Sequence, residues 1–264
     1  MQNKTPLTIV KIGGNILDDA QALQNFLQDF SMLEGLKIMV HGGGKTATKT
    51  AENLGLKPLF SNGRRITNKA MLEVAVMTYA GLINQSVTAA LQAMQCNAIG
   101  CSGAGGNLIA AIKRKVETID FGFVGDISTV NAIAIEQLLH IGLVPVFSAI
   151  THDGHGQLLN TNADTIAAAL AIALSGNFKV RLVYCFEKNG VLQNAEDNNS
   201  YISELDYTTY ENLKNNGQIH SGMLPKLDNC FHALQQGVAA ISIGNPEILK
   251  SGNAVYTKII HQPA

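Results

Sequence analysis

Tryptophan is missing from this 264-residue chain, aromatic residues make up only 6% of it, and charged residues only 15%. So few aromatics leave little on which nucleic-acid bases stack. Neither sign of charge dominates: 19 Lys plus Arg stand against 20 Asp plus Glu, a formal net charge of −1. That balance lacks the basic face a nucleic-acid partner selects, so no nucleic acid is expected as a partner. The longest apolar run, around Ile166–Leu174, closes at Ser175-Gly176. It is far shorter than the ~20 residues that cross a bilayer, so no membrane partner is expected either. The opening Met1-Gln2-Asn3-Lys4-Thr5-Pro6 has no apolar stretch of a secretory signal. The four cysteines, Cys96, Cys101, Cys185 and Cys230, form no CxxC pair. They read as buried thiols, and the expected compartment is a reducing cytoplasm.

What is plentiful is small and apolar: 46% hydrophobic residues and 25 glycines. Such a chain buries a sizeable core, which excludes global disorder. Its length suits one large domain or two modest ones. Leu7–Lys11 is a short β-rich run ending at Gly13-Gly14, and Asp18–Leu33 follows with apolar residues at helical spacing. Leu36–Val40 repeats the strand, His41-Gly42-Gly43-Gly44 repeats the glycine loop, and Lys45–Leu54 repeats the helix before Gly55. This alternation predicts a mostly parallel sheet covered by helices on both faces. Further helices are expected at Asn68–Met94, Val130–Ile141, Ala163–Leu174, Ser203–Asn215 and Met223–Gln236. Further strands are expected at Asn97–Cys101, Val144–Ala149, Lys179–Cys185, Ala239–Ile243 and Ala254–Ile259. Lys113–Val116 and Gly122–Gly125 read as short antiparallel strands, and Asp153-Gly154-His155-Gly156 as a hairpin turn. A fresh strand–helix pattern after Ser175-Gly176 places a domain boundary there, giving lobes 1–175 and 176–264.

Two familiar phosphate motifs do not hold. Gly44-Lys45-Thr46 lacks the upstream glycine of a P-loop, because Met39 occupies that position inside a strand. Gly42-Gly43-Gly44-Lys45-Thr46-Ala47 fits a dinucleotide fingerprint, but it sits in the second strand–helix unit and no acid follows in Pro58–Arg65. The physics of the turn survives: glycines let the backbone approach a ligand, and the helix N-terminus offers free N–H groups.

Lys11 ends the first strand, where ligands bind in open α/β sheets. Asn160-Thr161-Asn162-Ala163-Asp164 opens an almost wholly apolar helix, which needs only one capping residue. Lys226 falls in the first turn of a helix that Ser221-Gly222 would cap, a position where a cation opposes the dipole unless it meets an anion. Gly63-Arg64-Arg65-Ile66-Thr67 adds guanidiniums suited to a carboxylate. His152 and His155 do not complete a metal site, so none is expected. His41 reads as a hydrogen-bonding residue rather than a base.

Taken in order, Lys11-Ile12-Gly13-Gly14, His41-Gly42-Gly43-Gly44, Asn62-Gly63-Arg64-Arg65-Ile66-Thr67, Phe123-Val124-Gly125, Asn160–Asp164 and Gly222-Met223-Leu224-Pro225-Lys226 resemble the amino-acid kinase family. The resemblance runs from about Leu7 to Ile259 and is nearest to members that act on N-acylated glutamate. It implies a three-layer αβα sandwich around a mainly parallel sheet, with an acylglutamate-binding and dimerisation lobe first and an ATP lobe second. The activity it implies is ATP-dependent phosphorylation, with Mg2+, of the γ-carboxylate of an N-acetylated or related N-acylated glutamate such as N-succinylglutamate, within arginine biosynthesis. Another kinase of the family, or a catalytically silent ligand sensor, is the alternative.

Lys11 and Lys226 would hold the transferred phosphoryl group, with Asp164 orienting them. Gly43, Gly44, Arg65, Asn160 and Asn162 would bind the acylglutamate. Gly13, Gly14, Glu187, Gly190, Ile219, His220 and Gly222 would lie near ATP. Glu187 stands where family members commonly carry Asp. Homodimerisation would use the Asn68–Met94 helix. A substrate carboxylate with a reference pKa of about 4.3 is ionised at neutral pH, so no general base is needed. Cations must offset its repulsion from triphosphate, each close pair giving up to ~4 kcal/mol before desolvation.

Overall fold

A computed structural model describes residues 4–61, 63–219, 222–250, 252 and 254–261. In chain order the strands and α-helices begin β1 Thr5–Ile12, α1 Gly14–Asp18, α2 Ala20–Ser31, β2 Leu36–His41, α3 Gly44–Asn53, β3 Leu59–Ser61, β4 Arg64–Ile66 and α4 Lys69–Ala75. A π-helical segment, Val76–Ile83, joins α4 to α5 Asn84–Ala93. Next come β5 Ala98–Cys101, β6 Ile109–Lys113, β7 Gly125–Val130, α6 Ala132–His140, β8 Val144–Phe147, β9 Ile150–His152, β10 Leu158–Asn160 and α7 Ala163–Leu174. The chain closes with β11 Phe178–Cys185, β12 Glu204–Leu205, α8 Tyr207–Asn215, α9 Leu224–Gln235, β13 Ala240–Gly244 and β14 Tyr256–Ile259.

The chain divides into two compact units, Ile38–Ile166 and Met1–Lys37 with Ala167–Ala264. The division differs from the boundary expected at 175/176. Residues 1–37 group with the C-terminal segment because β1 pairs in parallel with β11 along its whole length, Thr5 opposite Phe178 through Ile12 opposite Cys185. Strand order in this discontinuous unit is β12-β14-β13-β11-β1, and only β13–β14 is antiparallel. The central strands are near-continuous buried runs, as a parallel sheet covered on both faces requires. Asp19 and Asp206 cap α2 and α8 by accepting the amides of Ala22 and Thr209.

In the unit Ile38–Ile166, β2, β8 and β5 pair in parallel, and β10-β9-β6-β7 form a second, four-stranded sheet. The hairpin β9–β10 brackets the expected turn. The antiparallel pair expected at Lys113–Val116 and Gly122–Gly125 is real but displaced: β6 starts earlier and β7 runs later, to Val130. Charge alternation marked only the exposed end of β6; Ile109 and Ala111 carry the burial. Gly63–Thr67, absent from the strands expected above, contains β4. The helix expected at Ser203–Asn215 begins only after Asp206, and β12 takes its first residues.

The continuous helix Lys69–Ala93 has the length and apolarity of a membrane span by composition. It serves as a core helix. Met71, Val74, Ala75, Val87 and Leu91 are buried, and so are the polar Thr78 and Asn84. Thr78 donates to the Val74 carbonyl of its own helix at 2.7 Å, and Asn84 donates out of the helix to the Val146 carbonyl at 2.9 Å, a bond that a hydrocarbon surround would not supply. The four cysteines are buried and in no disulfide, and burial raises the Cys101 thiol to about 11 and Cys185 to about 12, so neither is a reactive thiolate.

Candidate active site

In the unit Ile38–Ile166 three separate motifs converge. Thr67 bridges Gly122, its amide donates to the Phe121 carbonyl at 2.9 Å, and the Phe123 amide donates back to the Thr67 carbonyl at 2.7 Å. Val124 bridges Asn160, whose amide donates to the Phe123 carbonyl at 2.9 Å and whose Nδ2 donates to Thr67 Oγ1 at 3.0 Å. The Gly63–Thr67, Phe123–Gly125 and Asn160–Asp164 segments are thus one hydrogen-bonded cluster. Asn162 Oδ1 then caps α7 by accepting the Thr165 amide at 3.1 Å, and Asp164 lies in the helix's first turn. The turn 41–44 joins the cluster, because a Cβ on Gly42 would meet the Ala163 methyl at 3.8 Å.

Gly43 adopts φ +144°, a backbone shape side chains rarely take, and a Cβ there would press on Tyr79 Cδ1 at 2.9 Å. Glycine is therefore required for both shape and space. His41 below it is fully buried. Asn84 Nδ2 donates to its Nε2 at 2.9 Å, so the proton sits on Nδ1 and is donated to the Gly42 carbonyl at 2.9 Å. Burial drives its pKa down to about 4, so the ring is neutral and supports the turn.

Arg64 is exposed, whereas Arg65 is only 9% exposed. Arg65 Nη2 donates to the Gly44 carbonyl at 2.8 Å and to Thr48 Oγ1 at 2.7 Å, and its guanidinium lies 4.7 Å from the Phe60 ring centre. Its Nη1 is buried without a hydrogen-bond partner among the described residues. A cleft of about 550 Å³ is lined by Gly44, Lys45, Thr48, Lys49, Glu52, Phe60 and Arg65. A buried guanidinium with a spare N–H, opening on a cleft beside a helix N-terminus, has the chemistry of a carboxylate receptor.

In the other unit, Lys11 stands opposite Tyr184 in the β1–β11 register. Lys226, in the first turn of α9, places Nζ 4.7 Å from the centre of the same Tyr184 ring. Register neighbours share a sheet face, so Tyr184 brings the two lysines to one place, an arrangement fit to hold a phosphoryl group. α9 is capped differently from expectation. Its N-cap is Met223, which makes no side-chain bond, with Pro225 following in the first turn.

Asn15 Nδ2 donates to Glu187 Oε1 at 2.6 Å, tying the glycine loop after β1 to the loop after β11. Gly13 contributes to the same tie: its amide donates to the Cys185 carbonyl at 2.7 Å. Gly14 opens α1 and is exposed. Gly190 is buried against β14, where its Cβ would strike Thr257, so packing alone already requires glycine there. Ile219 is buried and Gly222 exposed. His220 lies outside the described residues, as do Asn62 and Ser221, the residue expected to cap α9. Sequence reasoning missed Tyr184, Tyr79, Thr48, Phe60 and Asn15. Only their long-range neighbours give them a role, and no local pattern announces it.

A family model described as the amino acid kinase family matches residues 6–245. An acetylglutamate kinase of Cytophaga hutchinsonii is 47% identical over 259 residues, covering 96% of this chain and 98% of that protein. An acetylglutamate kinase of Methanopyrus kandleri is 35% identical over 256 residues, covering 96% of this chain and all of the relative. Among solved structures, the carbamate kinase of Giardia superposes with a TM-score of 0.69 at 13% identity, covering 99% of this chain and all of the other. The chain belongs to the amino acid kinase family. Its fold is the carbamate-kinase-like one, with a large, mainly parallel sheet and helices, as the strand–helix alternation predicted. It is a phosphotransferase with a carboxyl group as acceptor.

Proposed function

We propose that the protein transfers the γ-phosphoryl group of ATP to the side-chain carboxylate of N-acetyl-L-glutamate, a step of arginine biosynthesis. The observation that carries this reading is Arg65: a buried guanidinium fixed by Gly44, Thr48 and Phe60, with one buried N–H group left for a ligand. It suits the α-carboxylate of an amino acid, and the acetylglutamate kinases at up to 47% identity support the choice of acceptor. In this reading the unit Ile38–Ile166 takes the acylglutamate through Gly43, Gly44, Arg65, Asn160 and Asn162. The other unit takes ATP through Gly13, Gly14, Glu187, Gly190, Ile219 and Gly222.

A carboxylate oxygen attacks the γ-phosphorus. The new O–P bond forms as the bond to the β–γ bridging oxygen breaks, and ADP leaves with that electron pair. The attacking carboxylate is already ionised, so no proton moves and no base is required. Lys11 and Lys226 neutralise charge on the transferring group. Among the described residues no group of three or more His, Cys, Asp and Glu side chains could hold a metal. In this reading Mg2+ comes with the ATP phosphates. Four buried thiols outside any disulfide suit a cytoplasmic site of action.

The test is ADP release from Mg-ATP with and without N-acetylglutamate. Release that depends on the acceptor supports the kinase. Release of the same size without it, or none with it, rejects the kinase; the latter in a protein that still binds ATP favours a ligand sensor.

A further inference from the structure

Between α4 and α5 the helix Lys69–Ala93 changes its winding, running as a π-helix over Val76–Ile83. Such turns often sit at functional sites. Tyr79, Ile83 and Asn84 are spaced i, i+4 and i+5. The wider π turn brings all three to one side, whereas an α-helix would carry the last away. All three meet the turn after β2. The Tyr79 ring and the Ile83 side chain close on Gly43, and Asn84 donates to His41. The Arg65 guanidinium is near enough to the Tyr79 hydroxyl, at the far end of that ring, to act on its ionisation. Arg65 is held by Gly44, Thr48 and Phe60, with the Tyr79 hydroxyl beside it.

We propose that Tyr79 is a positioning residue for the acceptor site, its ring setting the Gly43 turn and its hydroxyl aiming Arg65, so that both parts of the carboxylate receptor keep a fixed spacing. The inference rests on reading Ile38–Ile166 as the acylglutamate unit. A phenol suits the task because it holds the guanidinium without cancelling its charge. Burial raises the Tyr79 pKa from its ordinary value, more than the Arg65 charge lowers it, so the hydroxyl stays neutral at physiological pH. An acidic side chain in that place would compete with the substrate carboxylate for Arg65.

The experiment compares wild type, Tyr79→Phe, Arg65→Lys and the double variant in steady-state kinetics with N-acetylglutamate and ATP. Phenylalanine keeps the ring against Gly43 and removes only the hydroxyl. The expected result is a KM for N-acetylglutamate raised about tenfold, with kcat and the KM for ATP within about twofold. In the Arg65→Lys background the same substitution should change kcat/KM by less than about twofold, because its effect runs through Arg65. An unchanged KM in Tyr79→Phe, or the same loss in both backgrounds, overturns the proposal while leaving the kinase reading intact. A wild-type protein that phosphorylates no N-acylglutamate is a different outcome, and it removes the reading and the proposal together.

Discussion

Arg65 and the paired lysines are where single side chains decide the chemistry. Replacing Lys11 or Lys226 by Ala should lower kcat about a hundredfold or more, since each removes a charge aimed at the transferring group. Thermal unfolding checks that the loss is chemical: both lysines are half-buried at element ends, and Tm should move little. Arg65→Ala should act mainly on the acceptor's KM. His41 gives a pH prediction. Its pKa is about 4 in the fold against an ordinary 6.5, so the unfolded chain binds the proton first as pH falls. Stability is fully present above pH 6.5 and declines as pH drops to about 4. The loss amounts to about 3 kcal/mol from this group. Urea titrations across that window should show the slope in wild type and a much shallower one in His41→Gln. At this scale the glycine turns and the lysines were legible in the sequence, because each stands at a strand end or helix start that periodicity locates, whereas Arg65 was singled out by the resemblance of its motif. Tyr184 and Tyr79 were not legible. Each acts on a residue far away in the chain, and a lone tyrosine in an apolar run looks like core.

Among the elements, α7 carries the clearest stability test. Asn162 caps it by accepting the Thr165 amide, so Asn162→Ala should destabilise the fold by about 1 kcal/mol, or ~2–4 °C in Tm. A larger fall in kcat/KM than in stability would separate a substrate contact from the cap. Most elements were visible in the strand–helix alternation. The exceptions have local physical causes. β3 and β4 are three residues each, too short for an alternation to register. β6 hides because its buried Ile109 and Ala111 precede the charged residues that drew attention. The π turn has no residue signature, since its wider winding is set by what packs on it, here the turn at Gly43.

At the scale of the whole chain, β1 is the element that defeats a linear division into lobes. It opens the sequence yet pairs with β11, so the first 37 residues group with the C-terminal segment. Pairing across more than 160 residues leaves no trace in local pattern, whereas the class of fold does. A homodimer is also proposed, with the helix expected at Asn68–Met94, observed as Lys69–Ala93, at its interface. Light scattering should give about twice the 28.1 kDa of one chain, and a monomer at catalytic concentrations would count against that interface. The proposed function stands or falls on acyl-phosphate formation itself. It is tested most directly by trapping the product with hydroxylamine in the presence of Mg-ATP, with glutamate, N-acetylglutamate and N-succinylglutamate as parallel acceptors. Hydroxamate from N-acetylglutamate, and none from free glutamate, is the predicted result. Product from N-succinylglutamate alone would change the acyl group, and no hydroxamate from any acceptor in a folded, ATP-binding protein would contradict the account.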